Sequence, residues 1–198
     1  MNYILLGVTG FLFIHLFDIF ALKKWPLVKP LSWFLGSGLL VYAAVMACLG
    51  TEKLSLPNWV IWLGWPMLVA SAVILINSLF INLPFKRTYI ERGSSNQLIT
   101  TGLYLLVRHP WFHGFFLIII SLILLTGSTL ITYALFTWAP LVILLIFIQD
   151  RFLFHRMFPG YYNYQKNTPM LIPNKKSIKA FINELGHFQT KHVKNKEV

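Results

Sequence analysis

The amino-acid sequence predicts an all-α integral membrane protein that crosses the bilayer about five times and ends in a short cytosolic helical tail. Three observations carry this expectation. Hydrophobic residues fill 57% of the 198 positions and charged residues only 12%, more apolar surface than a soluble domain of this size can hide. The apolar residues fall in long runs, most of them near the roughly 20 residues that a helix needs to cross about 30 Å of hydrocarbon. The segments between the runs alternate between basic and uncharged, the pattern that orients helices in a membrane.

One membrane domain, residues 1–198, is expected. The first span covers residues 3–22 and is followed by the basic turn Lys23-Lys24-Trp25-Pro26. No basic residue precedes it, the reverse of a cleavable signal peptide, so a retained span is expected. The second span covers residues 31–49, and a linker follows in which Glu52 and Lys53 cancel. The third covers residues 59–83, with Pro66 expected to kink it. A polar stretch, residues 86–109, leads to the fourth span, 111–125. The uncharged turn Thr126-Gly127-Ser128 joins this to the fifth, 129–149, as a helical hairpin that Pro140 is expected to bend. In the tail, Ile178, Phe181, Ile182, Leu185 and Phe188 recur at helical spacing among Lys175, Lys176, Lys179 and Glu184. This predicts an amphipathic helix over 175–189, lying on anionic lipid of the inner leaflet or packed on the protein's own cytosolic face.

The basic residues give one orientation. Lys23, Lys24 and Lys29 place the first loop in the cytosol, and Lys86, Arg87, Arg92 and Arg108 place the third there. Arg151, Arg156, Lys166 and the tail lysines do the same for the C-terminus. The N-terminus is then outside. A net charge of +11 in a soluble protein raises the question of nucleic acid. Here the charges flank apolar spans, where they set topology and meet anionic lipid, so no nucleic-acid partner is expected. The single cysteine, Cys48, sits inside an apolar run, and no Cys/His cluster offers a zinc site. No metal is expected. His15 and Asp18 share a face of the first span, as a mutual pair or as functional groups. Asn77 and Asn82 are read as interhelical hydrogen-bond partners.

Two stretches could carry chemistry. In the first, residues 98–112, a span begins at Pro110 with His109 at its cap. The free N–H groups of that helix end and the guanidinium of Arg108 suit an anion such as an amino-acid carboxylate. Tyr104, Trp111 and Phe112 offer aromatic faces to a purine or a sulfonium. The same residues also suit a plain anchor at the headgroups. In the second stretch, residues 149–173, Asp150 stands where the fifth span ends. It either serves a substrate or pairs with its neighbour Arg151.

The order of these residues resembles the isoprenylcysteine carboxyl methyltransferase and phospholipid methyltransferase superfamily. The resemblance covers roughly residues 89–173. It runs through Gly102, Tyr104, Arg108, His109, Pro110 and Phe112, a hydrophobic hairpin, and then Asp150, Phe158, Tyr161, Tyr164, Pro169 and Pro173. It implies S-adenosylmethionine as cofactor, held by Gln97, Leu98, Ile99, Gly102, Tyr104, Arg108, His109, Pro110, Trp111, Phe112 and Tyr161. It implies Asp150 near the methyl acceptor, with Arg108 and His109 as the other catalytic candidates. Arg151 stands where the family usually has a second glutamate, Phe112 where tyrosine is usual, and Ile146 where isoprenylcysteine enzymes tend to have arginine.

The expected function is therefore methyl transfer to a lipid or other membrane-soluble acceptor at the cytosolic interface. A membrane enone reductase of the steroid-reductase type, using NADPH, and a non-catalytic scaffold with the same fold are the rival readings.

Overall fold

The computed structural model describes residues 2–83 and 98–194, with side chains as far as residue 186. Within them the regular structure is all helix, with one isolated bridge between Lys53 and Ser128. Helices α1 (Asn2–Leu22), α2 (Val28–Cys48) and α3 (Asn58–Ile76) come first, and a π-helical turn, Asn77–Ile81, extends α3. The short α4 (Leu103–Leu106) precedes α5 (Pro110–Thr126) and α6 (Thr129–Ile148). A second π-helical turn, Gln149–Leu153, carries α6 into α7 (Phe154–Met157). Helices α8 (Tyr161–Asn167) and α9 (Lys175–Lys194) complete the chain.

Four of these stretches are long and apolar enough to cross a membrane: α1, α2, α3 with its π turn, and α6 continued through α7. Helix α5 is shorter at 17 residues, about 26 Å of rise. Apolar side chains such as Leu5, Val41, Trp62, Val69 and Phe136 lie exposed along the long helices, the surface that lipid accepts and water does not. Pro66 and Pro140 sit inside continuous helices.

Small residues let the helices close up. A methyl group on Gly36 would lie 2.6 Å from the carbonyl oxygen of Gly10, and one on Gly10 would lie 2.9 Å from that of Gly36. The α1–α2 pair therefore packs backbone to backbone, as small residues allow inside membranes. Helix α5 packs against α3 and α6. Trp138 of α6 is fully buried among Phe11, Ala43, Phe115 and Ala134 and donates its indole N–H to Ile4 O at 3.0 Å.

The bundle has two distinct ends. At one, the linker after α2 meets the α5–α6 turn: Ser128 donates to Ala47 O, Leu54 N–H to Gly127 O and Thr129 N–H to Glu52 O. The other end gathers the C-terminal parts of α1, α3 and α6, the start of α5, and helices α4, α8 and α9. The tail helix packs on α4, and Glu184 accepts a 2.8 Å hydrogen bond from Gly102 N–H.

Candidate functional site

Proline at 110 opens α5 and keeps the residue before it out of helical geometry. His109 accordingly takes φ −126°, ψ 64° and makes no side-chain cap hydrogen bond. The extended backbone at Arg108 and His109 finds its partners in a distant segment: Arg108 N–H donates to Pro169 O at 2.9 Å and His109 N–H to Met170 O at 3.3 Å. The motif around Arg108 and the prolines after α8 are thus held side by side.

Arg108 and Asp150 form a bidentate, buried ion pair across 42 positions of sequence. Arg108 Nε donates to Asp150 Oδ1 and Nη2 to Oδ2, each at 2.8 Å. Arg108 Nη1 donates to Gln165 O at 3.1 Å and also to Thr168 O. The hydroxyl of Tyr161 donates to Asp150 Oδ1, and Gln165 Nε2 donates to Oδ2 at 3.0 Å. Four donors thus meet a carboxylate with about four acceptor sites. Arg151 is exposed and its side chain turns away. The expected alternative of an Asp150–Arg151 pair is corrected, because adjacent helical residues do not face each other.

Tyrosines extend this knot. Tyr164 donates to Tyr104 O at 2.6 Å, and Tyr104 donates to Ser78 O in the first π turn at 3.1 Å. Burial pushes the hydroxyls of Tyr161 and Tyr164 well above the ordinary tyrosine range, and Asp150 reinforces this. Burial opposes the charge of Arg108, but the bonds and charge of Asp150 outweigh it and raise its pKa.

His109 has a different situation. Its ring stacks on Phe154 at 5.5 Å and is 1% exposed. Nε2 lies 3.5 Å from Asp150 Oδ1 but without hydrogen-bond geometry. Burial pushes the imidazole below its ordinary value, against the pull of Asp150, so the ring is neutral at pH 7.

Tyr104, Arg108, His109, Asp150 and Tyr161 come together at one end of the bundle. Gly102 sits beside it at φ +60°, with the Asn82 side chain lying where a β-carbon would be. Pro110 is buried at the head of α5. Leu98 and Ile99 are half-buried, and Trp111 and Phe112 lean on the hydrophobic core outside the hydrogen-bonded knot. Gln97 lies outside the described residues, as do Lys86, Arg87 and Arg92. Asn82 bonds Asn77 within one π turn at 2.6 Å, which corrects the interhelical role expected for that pair. His15 and Asp18 are not partners either: His15 Nδ1 meets Phe11 O at 2.8 Å, and Asp18 accepts from Gln149 Nε2.

Sequence reasoning passed over Gln149, Gln165 and Thr168. Gln149 carried a readable signal, since a glutamine at the end of an apolar run needs a buried partner. The Gln165 and Thr168 carbonyls carried none, because any residue type supplies a carbonyl.

The arrangement limits what a ligand can use. Four of the five Arg108 N–H groups are already engaged, so a bidentate grip on a cofactor carboxylate requires the Asp150 pair to open. His109 Nε2, by contrast, is buried and free of hydrogen bonds, a state that costs about 1–3 kcal/mol. No family model, curated protein or solved structure matches this chain.

Proposed function

We propose that the chain is an S-adenosylmethionine-dependent methyltransferase acting on a lipid or other membrane-soluble acceptor. The supporting observation is spatial. Residues that the resemblance spreads over some sixty positions, Tyr104, Arg108, His109, Asp150, Tyr161 and Tyr164, meet in one buried knot at one end of an apolar bundle. In this reading α5 also crosses the membrane, as the fourth of five spans. The basic loops put the knot, α9 and the C-terminus on the cytosolic side, with the N-terminus outside.

The cofactor, when bound, supplies an electrophilic methyl group on sulfur. The chain's work is to align donor and acceptor and to exclude water. Trp111 and Phe112 offer aromatic faces to the purine and the cation. The Arg108–Asp150 pair fixes the extended segment that carries His109. The neutral His109 takes the proton when the acceptor is a hydroxyl or an amine. A polar cofactor enters from the aqueous side and an apolar acceptor from the bilayer, which accounts for a site at the end of a bundle.

The test is selective binding. S-adenosylhomocysteine at one hundred times its Kd should stabilise the folded protein by about 2.7 kcal/mol, read as a rise in Tm that His109→Ala reduces. A rise produced by NADPH and absent with S-adenosylhomocysteine would favour the reductase.

A further inference from the structure

Two buried polar residues beside the knot belong to neither the ion pair nor the tyrosine chain. His15 of α1 and Gln149 of the second π turn are each 8% exposed, and each has an atom without a hydrogen-bond partner: His15 Nε2 and Gln149 Oε1. Asp18 connects them. His15 and Asp18 lie one turn apart on one face of α1, and Asp18 accepts from Gln149. Gln149 precedes Asp150, which lies 3.5 Å from His109.

The chemistry of the two unpartnered atoms is fixed by their other bonds. Phe11 O accepts only, so the proton of the neutral His15 ring sits on Nδ1 and Nε2 presents a lone pair. Asp18 accepts, so the Gln149 group facing it is the amide nitrogen and the free atom is the carbonyl oxygen. Both are acceptors. A ligand group that meets them must donate: an alcohol O–H serves one, preferring the more basic imidazole lone pair of His15, a primary amine serves both, and a carboxylate or ether serves neither.

We propose that His15 Nε2 and Gln149 Oε1 form a subsite for the O–H or N–H headgroup of a membrane-soluble ligand. The inference rests on the reading above that an apolar acceptor reaches this end of the bundle, and it selects hydroxyl- or amine-bearing acceptors over carboxylates. A buried water is the competing occupant.

The test uses the full chain in phosphatidylcholine nanodiscs, titrated with 1-dodecanol, its methyl ether and dodecanoate, with protein-free discs as reference. The proposal expects dodecanol to bind about tenfold tighter than the ether, the scale of one hydrogen bond to a buried acceptor. His15→Phe, which keeps bulk and removes the lone pair, should abolish that preference. Equal binding of alcohol and ether, or tightest binding of dodecanoate, overturns the subsite whether or not the variant folds. A preference that survives in a folded His15→Phe overturns it too. The S-adenosylhomocysteine shift measured on the same discs separates the two readings. Its loss with the alcohol preference intact refutes methyl transfer alone; its retention without the preference refutes the subsite alone.

Discussion

Asp150 and Arg108 are better understood as one object than as two candidate catalysts. A buried pair is costly to split, because truncating one member strands the other charge. Arg108→Ala or Asp150→Ala should each destabilise the fold by about 3–5 kcal/mol. The double substitution should cost clearly less than the sum, as coupled partners require. Additive losses in equilibrium unfolding would deny the pairing. The sequence displayed both residues but not their partnership, since Arg151 is nearer along the chain. The helical turn decides the matter by aiming Asp150 inward and Arg151 outward. His109 gives a pH signature. Its folded pKa lies below the ordinary 6.5, so the unfolded chain binds its proton first on acidification. The stability contributed by the neutral ring is therefore complete above about pH 6.5 and is lost as pH falls below it. Tm measured from pH 8 to pH 5 should fall less steeply in His109→Phe than in the unsubstituted protein. Parallel curves would contradict the buried, neutral ring.

At the scale of elements, the long apolar helices were legible because hydrophobic runs and turn residues mark them directly. Their observed bounds fall within a few residues of the expected ones. The two π turns were not legible. Each is a single-turn shift of the helix ladder to i→i+5 bonds, and nothing in the local composition signals that. Here one such turn buries Gln149 and Asp150 together and the other supplies Ser78 to Tyr104. Helices α4 and α8 were missed as well, being too short for a periodic signal. For the tail, the sequence left open whether its amphipathic helix meets lipid or protein. Helix α9 packs on α4, and Glu184 caps Gly102 N–H, while Ile178, Ile182 and Leu185 remain exposed. Ending the chain after Pro173 should therefore lower Tm in detergent, where no bilayer is present to hold the tail. An unchanged Tm would make α9 an accessory to the membrane alone.

Across the whole molecule, the division of labour follows the two ends of the bundle. One is closed by short backbone hydrogen bonds between the linker after α2 and the α5–α6 turn. The other collects every buried Asp, Arg and His among the described residues, namely His15, Asp18, Arg108, His109 and Asp150, together with Gln149. Burying so many polar groups at one end of an apolar protein is costly unless they are paired or serve a ligand. Asp18, Arg108 and Asp150 are paired; His109 Nε2, His15 Nε2 and Gln149 Oε1 are not. That imbalance, together with the meeting of Arg108, Asp150 and the tyrosines, underlies the reading of this end as a reaction site and not as a scaffold. The most direct measurement incubates the purified protein in nanodiscs with a membrane lipid extract and S-adenosylmethionine labelled on its methyl carbon, then counts label in the organic phase. The account predicts label in that phase with the unsubstituted protein, and a fall of about 10² with His109→Ala. No transfer by a folded protein that binds S-adenosylhomocysteine, across lipid extracts containing both alcohols and amines, would contradict it.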